Sequence, residues 1–221
     1  MDFQFELALR EIRDVLASGV ALEAGMARML DFCAEQYPHP VWNSLRQLDF
    51  AGNMEQLKAW FGQVLCEQPV PARIRGLWFG LCNPHQDGRP TCMMYLAGSA
   101  EFDARDRRAA WVIEADYFPR RQETLWMAPS ICLQEIHHKA YAKMYHTGNV
   151  PEYGTLCDYT LCLGFAALAV RQLCAEIPAE IWLGDAAERG IATGFDDGDF
   201  LMIARIGPAG VVYLFDEKEV E

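Results

Sequence analysis

The sequence predicts an α+β fold, an N-terminal helical segment packed with a mostly antiparallel sheet and a central apolar helix. Apolar residues recur at helical spacing through the first 68 residues, strand-like runs follow Pro71, and no regular βαβ alternation asks for a parallel sheet. One domain is expected over 1–221, with 1–70 as a helical subregion and 71–221 as a strand-helix-strand subregion. Pro69 and Pro71 mark a corner within it and not a linker. A chain of 221 residues and 25.0 kDa buries about 70% of its unfolded surface, enough for a core without staples.

Phe5, Leu9, Ile12 and Leu16 form the apolar stripe of a first helix, with Asp2 as its cap and Gly19 at the position where a left-handed glycine ends it. A second helix covers 20–36 with Leu22, Met26, Met29, Leu30 and Cys33 on one face, and the Tyr-Pro-His-Pro run at 37–40 stops it. A short helix follows at 41–48. Asn53 is placed to cap a fourth, whose stripe is Leu57, Trp60, Phe61, Val64 and Leu65.

Residues 73–82 and 91–98, rich in β-formers and separated by turn residues, predict a hairpin, and 108–115 reads as a third strand. Helical periodicity returns at 130–145 with Ser130 as cap. The next helix, opening at Thr155 and running to about 175, is apolar nearly all round and belongs in the middle of the fold. Strands at 180–183, 200–206 and 211–215 close the chain, the last two joined through Gly207-Pro-Ala-Gly210.

The chain carries 19 Lys+Arg against 31 Asp+Glu, a formal net charge of −12. That charge repels phosphate backbones and anionic lipid, so neither nucleic acid nor a membrane surface is an expected partner. The acids concentrate toward the C-terminus, where the last 37 residues hold nine of them against Arg189, Arg205 and Lys218. The N-terminal run is acidic where a secretory signal is basic, and the most apolar stretch, 161–170, is about half the length of a membrane span. The eight cysteines sit mostly among apolar neighbours and read as reduced core thiols of a cytoplasmic protein.

Chemistry-bearing motifs are sparse. Glu135 and His138 form a single E-x-x-H, a spacing that di-iron bundles use twice with two further glutamates, so no metal is expected here. Cys157 falls in the first turn of the central helix, where the dipole lowers a thiol's pKa, and His85, His137, His138 or His146 would have to serve as its base. Asp158, next to that thiol, opposes its ionisation. The Phe-Asp-Asp-Gly-Asp run at 195–199 lacks the spaced ligands of a calcium loop and reads as a turn. Arg105, Arg107, Arg108, Arg120 and Arg121 solvate an edge of the sheet or meet an anion there. No phosphate loop, dinucleotide fingerprint or nucleophile elbow occurs, and no cofactor is expected.

The expected function is therefore noncatalytic, a cytoplasmic module whose acidic surface holds a basic protein. Its partner-binding residues are Trp126, as an exposed aromatic anchor, with Asp196, Asp197, Asp199, Glu217 and Glu219. In type, though by no motif, such a protein resembles the immunity proteins that bacteria keep against toxins, which makes a basic toxin domain the natural partner. The alternative is a thiol-dependent hydrolase or transferase using Cys157.

Overall fold

The computed structural model describes residues 5–86, 89–106, 109–119, 127–142, 157–196 and 199–215. Asp2, His146 and Thr155 lie outside them. Four helices come first, α1 Phe5–Ala17, α2 Leu22–Gln36, α3 Val41–Leu45 and α4 Phe50–Glu67. Gly19 takes φ +71° after α1, as its place in the sequence predicts. The cap of α4 is Asp49, whose Oδ1 accepts the Gly52 N–H at 2.8 Å, and not Asn53. Asn53 lies one turn further on and is buried. Its Oδ1 accepts the Cys132 N–H at 3.1 Å and its Nδ2 donates to Pro129 O at 2.8 Å. Asn53 thus caps α5, Ile131–His137, from a different part of the chain, while the hydroxyl of Ser130, the expected cap, is buried without a partner among the described residues. The α5 helix passes into a π turn at His138–Ala142.

The central helix α6, Cys157–Glu176, is buried on every side over most of its length. It packs on α1, α2 and α5 and, opposite them, on the sheet. Close approach to α2 depends on glycines: a Cβ on Gly164 would overlap Met29 Sδ, and one on Gly25 would overlap Leu168. The strands are β1 Gly76–Cys82, β2 His85–Gln86, β3 Arg89–Pro90, β4 Met93–Ser99, β5 Arg189–Phe195, β6 Asp199–Gly207 and β7 Gly210–Tyr213. The main sheet has the order β4-β1-β5-β6-β7. Every pairing in it is antiparallel except β1 with β5, which is parallel. The fold is therefore α+β, with N-terminal helices, a five-stranded mixed and mostly antiparallel sheet, and a central helix packed against both.

Two expected strands are not strands. Residues 108–115 contain a 3-10 turn, Ala110–Glu114, reached through Ala109 at φ +49° and capped where Asp106 Oδ2 accepts the Ala110 N–H at 2.6 Å. Beyond it, Tyr117 bridges to the sheet opposite Gly98, and Met127 opposite Tyr95. Residues 180–183 belong to a short helix, α7 Ala179–Leu183, started by Pro178, whose carbonyl accepts the Ile181 N–H at 3.0 Å. An apolar run this short carries no period that separates helix from strand. Its Trp182 packs on Phe61 at 4.6 Å between ring centroids.

The sheet has two faces with different covers. Leu77, Phe79, Leu81, Ile191 and Ile203 point into the main core with the helices. Trp78, Ala97, Ala192, Met202 and Leu214 form a smaller cluster on the outer face, roofed by Phe102, Trp111 and Val112. Glycine makes this roof possible. The Trp111 ring lies where a Gly76 Cβ would stand, and the Phe102 ring where a Gly190 Cβ would stand. No helix among the described residues is long and apolar enough to cross a membrane.

Candidate functional site

The end of the outer face away from the roof carries a hydrogen-bonded polar cluster. Strand β1 sets Gly80 between Tyr95 of β4 and Gly194 of β5. With no side chain at Gly80, the Tyr95 ring lies over that strand; a Cβ there would overlap both Tyr95 and Trp78 Nε1. The Tyr95 hydroxyl donates to Asp196 Oδ1 in a very short hydrogen bond and accepts from Trp78 Nε1 at 3.2 Å. Asp196 follows β5 directly, and its backbone N–H donates to Leu81 O at 3.1 Å, so the residue is tied to the sheet by main chain and side chain together. Phe200 closes the cluster edge-on to Trp78, with ring centroids 5.1 Å apart and planes at 85°.

Burial, and after it the hydrogen bond to Asp196, pushes the Tyr95 hydroxyl above its usual range, so it stays protonated and remains a donor at any physiological pH. Burial, and then the Asp196 charge, pushes the nearby Cys82 thiol up to about 12. Neither group is a nucleophile near neutral pH. The arrangement presents an exposed carboxylate in one fixed orientation, a geometry able to meet a cation.

Of the residues the sequence singled out for binding, Asp196 is the one the structure brings into this cluster. Asp199 opens β6 opposite Phe195, with nothing described of its side chain. Trp126, Asp197, Glu217 and Glu219 lie outside the described residues, as do Arg107, Arg108, Arg120 and Arg121. Tyr95 and Trp78, which orient the carboxylate, were missed. Their alternation along β4 and β1 puts them on one face, but only the strand register brings both against Gly80 and Asp196.

The catalytic candidates are scattered. Cys157 begins α6 with no exposed surface, hydrogen-bonded to Cys33, whose own thiol burial pushes well up. His85 opens β2, opposite Pro90. His138 caps the end of α5, and Glu135 pairs with Lys139 at 3.0 Å. No group of three or more metal-ligating side chains gathers among the described residues. All eight cysteines are free thiols.

The histidine that meets the start of α6 is His137, its Nδ1 3.7 Å from Asp158 Oδ2, too long for a hydrogen bond. Burial, and then His138, lowers His137 to about 4, while burial raises the Asp158 carboxyl. An unfolded His137 titrates near its ordinary 6.5, so between that pH and 4 the unfolded chain binds a proton that the folded chain does not. Stability from this group is complete above the window and falls as the pH drops through it. Asp158 acts in the opposite direction, so the difference between wild type and His137→Phe isolates the effect. Urea unfolding should find wild type losing about 2 kcal/mol relative to the variant between pH 7 and 4. Parallel pH profiles would show that His137 accepts its proton inside the folded protein.

Comparison with known proteins finds no match, since no family model fits the chain and no curated protein or solved structure is significantly similar to it.

Proposed function

We propose that the chain is a noncatalytic, cytoplasmic protein-binding module whose acidic surface holds a basic protein, in the manner of an immunity protein neutralising a toxin domain. The observation that carries the reading is Asp196, an exposed carboxylate fixed by Tyr95 and Trp78 at the rim of the sheet. A carboxylate oriented in advance loses little side-chain entropy when an arginine or lysine meets it, and the half-buried Tyr95 ring lies beside it. The net charge of −12 steers such a partner from a distance. Trp126, Asp197, Asp199, Glu217 and Glu219 are the further partner-binding residues of this reading. Eight free thiols suit a reducing compartment. The thiol-hydrolase alternative has less behind it, because Cys157 is fully buried beside a second thiol.

The immobilised chain, exposed at low salt to lysate of its source cell, should retain a basic protein. Association with that protein should slow about tenfold or more between roughly 0.05 and 0.5 M salt. Asp196→Asn and Tyr95→Phe should each weaken the complex by about 1–2 kcal/mol. Glu180→Gln, at an exposed acid on α7, should leave it within about twofold, as single surface charges do. Retention of nothing basic, or Asp196→Asn binding as tightly as wild type, overturns the reading.

A further inference from the structure

Helix α6 carries two thiols on different faces, and each meets a thiol from another element. Residues five apart on an α-helix, as Cys157 and Cys162 are, point roughly 140° away from each other. Cys157 is hydrogen-bonded to Cys33 of α2, and Cys162 to Cys92, which stands directly before β4. None of the four has exposed surface.

The packing of the helices accounts for the first pair. Gly25 of α2 lies against Leu168, and Met29 lies against Gly164, so at each contact a glycine on one helix admits the side chain of the other. These contacts climb α2 and descend α6 in steps of four, as the facing rows of two antiparallel helices do. The next step takes Cys33 to the turn of α6 that holds Cys157 and Thr160. On another face of α6, the Cys162 Sγ donates to Leu133 O of α5 at 3.9 Å while lying against Cys92. Cys82, across β1 and β4, feels Cys92 through its charge, whereas Cys162 touches it.

We infer that the two pairs form a redox-sensitive staple: in the presence of peroxide Cys33 closes on Cys157 and Cys92 on Cys162, which ties α6 to α2 on one face and to the root of β4 on another. In each pair, hydrogen peroxide oxidises one thiol to a sulfenic acid and leaves as water. The second sulfur then attacks the first, the S–S bond forms as the S–OH bond breaks, and the hydroxide takes the second thiol's proton to leave as another water. Two sulfurs thus give up two electrons to one peroxide. Burial, and then the neighbouring thiol, pushes Cys33 and Cys162 well above the usual thiol range, so closure waits on local opening of the helix and is slow in the resting fold. Once formed, each link joins segments distant in sequence and removes freedom from the unfolded chain. The staple acts whether or not the chain holds a basic protein.

The test holds the folded, reduced full chain with millimolar hydrogen peroxide until the exposed Cys66 is oxidised, then alkylates the remaining thiols in denaturant and maps the peptides by mass spectrometry. Peptides joined through Cys33–Cys157 and through Cys92–Cys162 should appear and be released by dithiothreitol. The urea midpoint of the oxidised chain should lie about 1 M or more above that of the reduced chain. Cys33→Ala should remove the first link and leave the second, and where that variant does not fold the wild-type peptides decide. The inference is overturned by four thiols that all remain open to alkylation, by links of other connectivity such as Cys82–Cys92, or by a midpoint that does not rise.

Discussion

Arg189→Ala should destabilise the protein by about 3–5 kcal/mol, while Arg189→Met should stay within about 2 kcal/mol of wild type. Arg189 is 1% exposed at the start of β5. Its Nη2 donates to Val70 O at 2.9 Å, to Leu183 O at 3.1 Å and to Pro71 O at 3.4 Å, while Nε and Nη1 have no partner among the described residues. Burial lowers its pKa, against a smaller opposing effect of Tyr117. The guanidinium thus ties the Pro69–Pro71 corner to the end of α7 while being costly to bury. Alanine empties the space and leaves Val70 O dry. The other two carbonyls are less exposed to the loss, since Ile74 N–H serves Pro71 O and Ala186 N–H serves Leu183 O, each at 2.9 Å. Methionine refills most of the volume and relieves the desolvation of the charge, so relief and loss nearly offset. Urea denaturation of both variants decides it. Equal destabilisation by Ala and Met would mean that the hydrogen bonds, and not packing, account for the residue.

Gly190→Ala should cost about 2–3 kcal/mol, and Phe102→Ala in the same chain should recover at least about 1 kcal/mol of it. The new methyl group would occupy the place of the Phe102 ring. Strand β5 pairs with β1 on one side and β6 on the other, so the backbone has little room to yield and the ring must leave instead. Phe102 also supports Trp111, and its displacement should loosen the indole, seen as loss of near-ultraviolet tryptophan dichroism in Gly190→Ala before any change in helical signal. Additive single effects in the double-mutant cycle would mean that the strand itself resists the methyl group.

The helical half of the fold is legible because α1, α2 and α4 each repeat an apolar stripe over three or more turns. The central position of α6 follows from its apolar circumference. What the sequence hides is tertiary. Strand β5, Arg-Gly-Ile-Ala-Thr-Gly-Phe, is absent from the expected strands because Gly190 and Gly194 depress strand propensity, yet Gly190 is needed where Phe102 crosses the strand. Asn53 has the composition of a cap and is one, but for a helix that begins 78 residues later. The candidate site was half visible: Asp196 stands out as an acid in a turn, whereas its orientation by Tyr95 and Trp78 needs a register that no local pattern contains.

The parallel contact between β1 and β5 joins residues as far as 114 positions apart, such as Thr193 and Phe79. During synthesis, β1 and β4 emerge and can pair long before β5 exists, which leaves one edge of β1 with unpaired backbone N–H and C=O groups until residues 189–195 leave the ribosome. Nascent or truncated chains ending before Arg189 should accordingly be clients of chaperones and prone to aggregate, while the finished chain, with β5 in place, is not.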